Sequence, residues 1–288
     1  MENLSNINVI KDLMTRHGVE FSKALGQNFL INPSVCPKMA EMGGAEKGVG
    51  VIEIGAGVGV LTAELARRAQ KVVCIEIDQR LLPILEETLA EFDNVEIINA
   101  DVMKVDLPAL IKEKFLGMDV VVCANLPYYI TSPIIMNLLE QRLPIKSITV
   151  MVQKEAAQRL CARAGTRDVG AVSIAVQYYS EPKILFPVSR GSFMPSPDVD
   201  SMVIRLDIRT APPVSVQEED TFFCAVKGAF SMRRKTILNC LSASFSLPKD
   251  RLSEALGRAG VPACSRAEQL SLEQFAAISD QLTRMKEK

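Results

Sequence analysis

Residues 50–59 read GVIEIGAGVG, and this stretch decides the fold. The apolar segment 50–54 predicts a short buried strand, and a helical pattern over 61–70 follows the glycines. Glycines between a strand and a helix let the backbone turn tightly and approach a ligand at the helix N-terminus. The spacing is G-x-G-x-G, whereas dinucleotide-binding folds more often have G-x-G-x-x-G, and a tight turn in any α/β protein would also explain it.

The same alternation of strand and helix continues on the C-terminal side of this turn. Helical patterns at 80–92, 107–115 and 133–142 separate four further apolar strands. These predicted strands are 72–77, 95–98, 119–124 and 147–153. Strand–helix alternation of this kind predicts an α/β fold with a doubly wound, mostly parallel sheet.

The pattern changes after Ala171. Residues 171–179 and 201–208 predict two strands of an antiparallel sheet edge, which flank the proline-rich loop 193–197. A linker is expected at 211–213, and the pattern is helical from about residue 218 onward. We therefore expect two domains, 1–210 and 211–288, of which the second is small and all-helical.

Composition narrows the class of protein. The chain has 288 residues, 48% of them apolar, and a net charge of −1, so any RNA partner has to be bound by local positive charge. The seven cysteines form no C-x-x-C pair and the single histidine has no ligand neighbours, which argues against a metal site. No apolar run reaches the roughly 18 residues that span a bilayer. We expect a cytoplasmic monomer with no metal and no membrane contact.

Polar residues are predicted at the carboxyl ends of four successive strands. Glu76 and Asp101 lie at the ends of the second and third strands, and they join Gly55 and Asn125 at the same sheet edge. The Glu76 carboxylate could accept both hydroxyls of a ribose, and Asp101 could accept from an adenine amino group. These residues suit an adenosine carried without a pyrophosphate, such as S-adenosylmethionine.

The tetrad Asn125-Leu126-Pro127-Tyr128 follows the apolar run 120–123. The Asn125 side-chain oxygen and the Leu126 carbonyl offer two acceptors beside an aromatic face, which suits an exocyclic amine on a flat ring. Tyr128 and Phe193 could sandwich such a base, whereas Tyr129 is interpreted as packing. We therefore predict catalytic roles for Asn125, Leu126, Tyr128 and Phe193.

Local positive charge is available in two groups. The denser one lies in the helical C-terminal region and contains Lys227, Arg233, Arg234 and Lys235. The other follows the fifth predicted strand and contains Arg159, Arg163 and Arg167. We predict that the first group binds RNA phosphates, although a solvated helix face would show the same pattern.

Four motifs together resemble a known family. They are Gly26-Gln27-Asn28-Phe29-Leu30, the glycine turn from Glu53 to Gly59, the tetrad extended to Tyr129, and Phe193-x-Pro195-x-Pro197-x-Val199-x-Ser201. In this order they resemble the ribosomal RNA adenine dimethyltransferases, and most closely the small-subunit enzymes whose loss confers kasugamycin resistance. The resemblance runs from about residue 22 to 205. Ala56 departs from it, since the family often has proline there.

The resemblance implies a class I methyltransferase fold, which is Rossmann-like with a seven-stranded sheet. It implies S-adenosylmethionine as the cofactor, bound by Asn28, Leu30, Gly55, Gly57, Glu76, Asp101 and Asn125. The implied substrate is 16S rRNA in an assembling small ribosomal subunit, where two adjacent adenines of the 3′-terminal hairpin would each receive two methyl groups on N6. Such an enzyme would take part in rRNA processing and ribosome biogenesis.

Two alternatives remain open. One is a 23S rRNA adenine methyltransferase that confers macrolide resistance, which would share the fold and the cofactor. The other is an assembly factor that acts mainly by binding. A nicotinamide-dependent dehydrogenase is less favoured, because no acid or base for hydride transfer accompanies the glycines.

Overall fold

The computed structural model describes residues 4–20, 22 and 26–286. Residues 23–25, which fall within the stretch of family resemblance that starts at about residue 22, lie outside these residues. The chain divides into two compact units, one made of 1–157 with 181–208 and the other of 158–180 with 209–288. The predicted domains 1–210 and 211–288 stay a prediction, and residues 158–180 and 209–210 group with the second of these units.

The strands of the structure are β1 (Phe29–Leu30), β2 (Val49–Ile54), β3 (Lys71–Glu76), β4 (Val95–Asn99), β5 (Asp119–Asn125), β6 (Ser147–Gln153), β7 (Ser180–Val188), β8 (Phe193–Met194) and β9 (Ser201–Ile208). The helices are α1 (Ile7–Arg16), α2 (Val35–Met42), α3 (Val60–Ala66), α4 (Leu82–Thr88), α5 (Leu107–Lys114), α6 (Thr131–Glu140), α7 (Lys154–Leu160), α8 (Ala171–Tyr179), α9 (Glu219–Ala229), α10 (Ile237–Phe245), α11 (Lys249–Arg258) and α12 (Leu272–Lys286).

Seven strands form one sheet in the order β4-β3-β2-β5-β6-β9-β7. The pairs β3–β4, β2–β3, β2–β5 and β5–β6 are parallel, and β9 runs antiparallel to β6. The predicted fold class, a doubly wound and mostly parallel seven-stranded sheet, is confirmed. The strand order reverses between β2 and β5, and in such sheets a ligand binds outside the carboxyl ends of the strands at this point.

The central strands are stable because helices cover both faces of the sheet. Val51 and Ile52 on β2 and the run 121–124 on β5 are buried, as expected for strands that read as continuous apolar runs. Each fully buried side chain of this kind contributes about 1.5–3 kcal/mol. At Gly50 the Phe115 ring fills the space of a side chain, since a Cβ there would lie 2.1 Å from Phe115 Cδ1.

The strand predicted at 171–179 is wrong, because these residues form helix α8. The segment is rich in β-branched and aromatic residues, which favour strands. Its fold is decided instead by packing in the second unit, where Ile174 and Tyr178, four residues apart, are buried in one apolar core with Phe222. Ser173 adds a local bond, since its Oγ accepts from the Gly170 amide at 3.0 Å. The edge strand is β7, which begins at Ser180.

The helical pattern predicted from residue 218 onward is confirmed by α9 to α12. Phe222 on α9, Leu241 on α10, Leu256 on α11 and Phe275 on α12 lie in the core of this unit. Within the residues that the structure describes, no helix is both long and apolar enough to cross a membrane.

Candidate active site

A cleft lies at the carboxyl ends of β2, β3 and β5, where the strand order reverses. It encloses about 800 Å³ of space not occupied by atoms, including open solvent at its mouth. Eight of the predicted site residues line it: Asn28, Leu30, Gly55, Gly57, Glu76, Asn125, Leu126 and Tyr128.

The glycine turn leaves room for a ligand at the sheet edge. Gly55 has φ +78°, and a Cβ built there would have Asn125 O, 3.8 Å away, as its one contact within 4 Å. Gly57 has φ +62°, and a Cβ there would come within 3.1 Å of the Phe29 ring. A side chain at either position would be strained, because L-residues other than glycine rarely adopt this backbone conformation.

Glu76 is held rigidly at the end of β3. Its Oε2 accepts a hydrogen bond from the Gly57 amide and its Oε1 accepts one from the Asp78 amide, both at 2.9 Å. Burial raises the pKa of the Glu76 carboxyl, and these two amides offset part of the rise by stabilising the charged form. These two hydrogen bonds therefore fix the Glu76 carboxylate relative to the glycine turn within the protein itself.

A link that the sequence did not predict connects the Gly26–Leu30 motif to the residues just after β3. Gln27 Nε2 donates to Asp78 Oδ2 at 2.8 Å. Arg80 also donates to both carboxylate oxygens of Asp78, at 2.8 and 2.7 Å. The Arg80 guanidinium is the main cause of a lowered Asp78 pKa, so the carboxylate stays charged. The link holds the loop before β1 beside the cleft.

Glu53 lies on β2, and no role was predicted for it from the sequence. This carboxyl lines the cleft but is only 1% exposed, and among the described residues its Oε2 has no hydrogen-bond partner. Burial, helped by the charge of Glu76, raises the pKa of Glu53 to about 8, while Thr62 lowers it in part. The signal in the sequence was an acidic residue inside an otherwise apolar strand.

The tetrad lines the cleft and contains two candidate acceptors. Asn125 Nδ2 donates to the Asn28 carbonyl at 3.3 Å. This bond sets the orientation of the side-chain amide, so that Oδ1 points away from Asn28. The Leu126 amide donates to the Met151 carbonyl at 3.3 Å, so β6 holds this backbone in place. Within the described part of the chain, Asn125 Oδ1 and the Leu126 carbonyl oxygen accept no hydrogen bond.

The ring of Tyr128 has a fixed position at the edge of the cleft. Its hydroxyl lies 2.7 Å from Ser201 Oγ, and Ser201 is fully buried at the start of β9. Partial burial raises the pKa of the Tyr128 hydroxyl, which therefore stays protonated. The residue is half-buried and lines the cleft.

Two of the residues predicted to bind the cofactor or the base do not line the cleft. Asp101 follows β4, where its Oδ1 accepts from the Met103 amide at 3.0 Å and caps a short turn. Phe193 lies on β8, is 2% exposed and pairs with Leu30 of β1. Phe193 is therefore a neighbour of Leu30, which lines the cleft, but it is not itself a lining residue.

The burial of Phe193 leads to a prediction about stability. Phe193→Ala is expected to lower the free energy of unfolding by at least about 3 kcal/mol, because it leaves a cavity in the core. Phe193→Leu is expected to cost less than about 1.5 kcal/mol. Urea denaturation measures both. If Phe193→Ala unfolds at the wild-type midpoint but fails to bind substrate, the side chain acts as a wall for the base and not in packing.

The second unit contains a basic groove of its own, which we define by five arginines: Arg159, Arg167, Arg233, Arg234 and Arg266. Two carboxylates, Asp168 and Glu268, also line it, so positive charge is in excess by three. Arg233 Nη2 donates to the Arg167 carbonyl at 3.3 Å, which joins the two predicted basic groups. Lys227, Lys235 and Arg163 are exposed but do not line the groove.

Across residues 4–20, 22 and 26–286, no cluster of three or more histidine, cysteine, aspartate or glutamate side chains could hold a metal ion.

The chain is similar to proteins that are named as methyltransferases or dimethyladenosine transferases. "Ribosomal RNA small subunit methyltransferase A" of Alkaliphilus oremlandii is 48% identical over 285 residues, which is 99% of each chain. The structure of a dimethyladenosine transferase from Plasmodium falciparum is 26% identical with a TM-score of 0.72, covering 90% of this chain and 98% of that one. The structure of the 23S rRNA methyltransferase ErmE is 28% identical with a TM-score of 0.68, covering 89% and 100%.

The family described as "Ribosomal RNA adenine dimethylase" matches residues 18–284, which includes the glycine turn, the tetrad and the basic groove. This match extends over nearly the whole chain, and the chain therefore belongs to the ribosomal RNA adenine dimethylase family.

Proposed function

We propose that this protein is an S-adenosylmethionine-dependent rRNA dimethyltransferase. Its substrate is 16S rRNA in the small ribosomal subunit, where it converts two adjacent adenines of the 3′-terminal hairpin to N6,N6-dimethyladenosine. The observation that carries the proposal is the pair of open acceptors, Asn125 Oδ1 and the Leu126 carbonyl, beside the glycine turn. The 48% identity to a small-subunit methyltransferase, against 28% to ErmE, favours the small-subunit substrate over the 23S alternative.

The residues of the cleft fit the proposed cofactor. The buried carboxylate of Glu76 is oriented to accept ribose hydroxyls, and the open face of Gly55 admits a ligand to the backbone. Glu53 Oε2, which has no partner within the described residues, suits a cationic group. Asn28, Leu30 and Gly57 complete the contacts, and Asp101 is proposed for the adenine amino group at the outer end of the site.

When bound, S-adenosylmethionine supplies a methyl group on a positively charged sulfur, so no base has to remove a proton in advance. The N6 amine of adenine is a poor nucleophile because its lone pair is delocalised into the ring. Asn125 Oδ1 and the Leu126 carbonyl would each accept one N–H of this amine and favour a pyramidal nitrogen. The lone pair would then face the methyl group, and positioning of this kind is worth about 7–11 kcal/mol at best.

The second methylation places a different demand on the same acceptors. After one methyl group has replaced a hydrogen, the amine retains a single N–H, so either Asn125 or Leu126 loses its partner. The half-buried ring of Tyr128 holds the base through stacking in both rounds. Stacking of about 1–3 kcal/mol per base offsets much of the few kcal/mol needed to take a base out of its stack.

The basic groove is proposed to bind the phosphates of the RNA. Contacts of this kind position the substrate without reading its sequence, and they weaken as salt rises. The protein is expected to act in the cytoplasm as a monomer, with the groove supplying the local positive charge that the net charge of −1 does not.

This role predicts a change in salt dependence. Arg233→Glu with Arg234→Glu is expected to weaken binding to small subunits at least tenfold and to reduce the slope of log K against log salt by about 1.5–2. Filter binding at several salt concentrations measures both. Lys249→Glu, an exposed change on α11 outside the groove, is the matched control. An unaltered slope in the double variant would remove the groove from the proposal.

The substrate is tested by mapping the product. Purified small and large ribosomal subunits without the modification are incubated with the protein and S-adenosylmethionine, and their rRNA is digested for mass spectrometry. Two adjacent dimethyladenosines near the 3′ end of 16S rRNA are expected. Methylation of large subunits alone would overturn the proposal in favour of the 23S alternative.

A further inference from the structure

Tyr129 is an exposed aromatic residue directly beside the proposed base site. It follows Tyr128 in the short 3-10 turn Tyr128–Ile130 and lines the same cleft. Its side chain is 60% exposed, in a protein that has four tyrosines and no tryptophan. Packing was predicted for Tyr129, but burial does not account for a ring that is this exposed.

The backbone of Gly26 supports one edge of this ring. A Cβ at Gly26 would lie 3.2 Å from Tyr129 Cδ1 and 3.4 Å from Cε1, so the ring lies directly against the glycine. Gly26 also has φ +62°, which disfavours any larger residue there. The Tyr129 hydroxyl has no hydrogen-bond partner among the described residues, in contrast to that of Tyr128, which meets Ser201.

The turn directs the two tyrosines differently. A 3-10 helix has three residues per turn, so consecutive side chains diverge by about 120°. Tyr128 points inward to β9, and Tyr129 lies at the mouth of the cleft against Gly26. A strand of RNA that delivers one base to Tyr128 has to carry its next base past this mouth.

We propose that Tyr129 is a substrate-positioning residue that stacks on the RNA base next to the target adenine. The inference rests on the proposed function and extends it. An exposed ring that already rests against the Gly26 backbone loses less conformational entropy when a base stacks on it than a free ring would, and every base has a face that it can meet. If the two target adenines are adjacent, Tyr129 holds one of them while the other occupies the site.

Kinetics on intact small subunits test this role. Tyr129→Ala is expected to raise KM for small subunits roughly 5- to 150-fold, as loss of one base–aromatic stack implies. The kcat and the Kd for S-adenosylmethionine are expected to stay within about twofold of wild type. Tyr129→Phe keeps the ring and is expected to behave as wild type. Leu116→Ala, which removes another exposed apolar side chain (85% exposed), is the matched control.

A spectroscopic test does not depend on turnover. A short RNA that carries 2-aminopurine beside the target adenine is expected to lose fluorescence on binding wild-type protein or the Tyr129→Phe variant, because stacking quenches the probe. At saturating protein, the Tyr129→Ala variant is expected to leave the fluorescence high.

The outcomes distinguish a failure of the proposed function from a failure of the role proposed for Tyr129. Wild-type protein that produces no dimethyladenosine in small subunits rejects the proposed function, while the fluorescence comparison still decides whether Tyr129 stacks. If wild type is active but Tyr129→Ala changes neither KM nor the quenching, the inference alone fails. An equal loss of cofactor affinity would also overturn it, because Tyr129 would then act by holding the loop at Gly26.

Discussion

The Asn125→Ala variant is expected to lose about 100- to 1,000-fold in kcat for methyl transfer while remaining folded. Loss of a single preorganised hydrogen-bonding group from an active site has an effect of this size, since the group orients a reacting atom at no further cost. Asn125 is partly exposed at the end of β5 and its Nδ2 makes one bond, of 3.3 Å, to the Asn28 carbonyl. Removing the side chain leaves no large cavity, so stability should change little.

Single-turnover kinetics with saturating small subunits measure the effect, and the thermal midpoint checks the fold. The Asn125→Asp variant is the sharper comparison, because it keeps an acceptor oxygen but loses the Nδ2 donor that fixes the orientation of the side chain. We expect it to retain more activity than Asn125→Ala. A kcat for Asn125→Ala within a factor of three of wild type would contradict the acceptor role.

The same variant tests the assembly-factor alternative. If Asn125→Ala lacks methylation but still binds small subunits and restores their maturation in cells, binding is the more important function. If maturation fails together with methylation, the modification itself is required. The basic groove is unchanged in this variant. A failure of maturation would therefore reflect the loss of methylation and not a loss of RNA affinity.

The sequence predicted the sheet well because its central strands are buried on both faces. Residues 120–124 and 147–152 are buried without a break, and in such strands burial leaves few alternatives to a parallel sheet. The strand prediction for 171–179 was wrong because the sequence pattern there did leave an alternative. A short apolar run is compatible with either a strand or a buried helix, and contacts of Ile174 and Tyr178 with distant residues decide the outcome.

The site was predictable to the extent that it follows strand ends. Glu76 and Asn125 end β3 and β5, so topology alone brings them to one edge. The link from Gln27 to Asp78 spans 51 positions and depends on side-chain direction, which periodicity does not contain. The position of Phe193 depends in the same way on the pairing of β8 with β1, two strands of only two residues each. Its role in catalysis stays a prediction.

Glu53 makes the stability of the protein dependent on pH. Its carboxyl has a pKa of about 8 in the folded protein, against an ordinary value of 4.5, and burial is the main cause. Between these two values the folded state holds a proton that the unfolded state has released. Raising the pH therefore favours unfolding by about 1.4 kcal/mol per unit across this window, and the effect levels off above pH 8.

The Glu53→Gln variant is therefore expected to be more stable than wild type at alkaline pH, by roughly 5 kcal/mol at pH 9, and to show little advantage at pH 4.5. Glutamine has the same shape, so packing is retained while the cost of ionising a buried carboxyl disappears. Urea denaturation of both proteins between pH 4.5 and 9, without cofactor, measures the difference. Glu96→Gln is a suitable control, because Lys114 lowers the pKa of Glu96, so its contribution to stability is lost as the pH falls instead. Parallel pH profiles for wild type and Glu53→Gln would mean that the Glu53 carboxylate is already charged in the folded protein, with a solvated or paired Oε2. A cofactor cation would then bind an existing charge and release no proton.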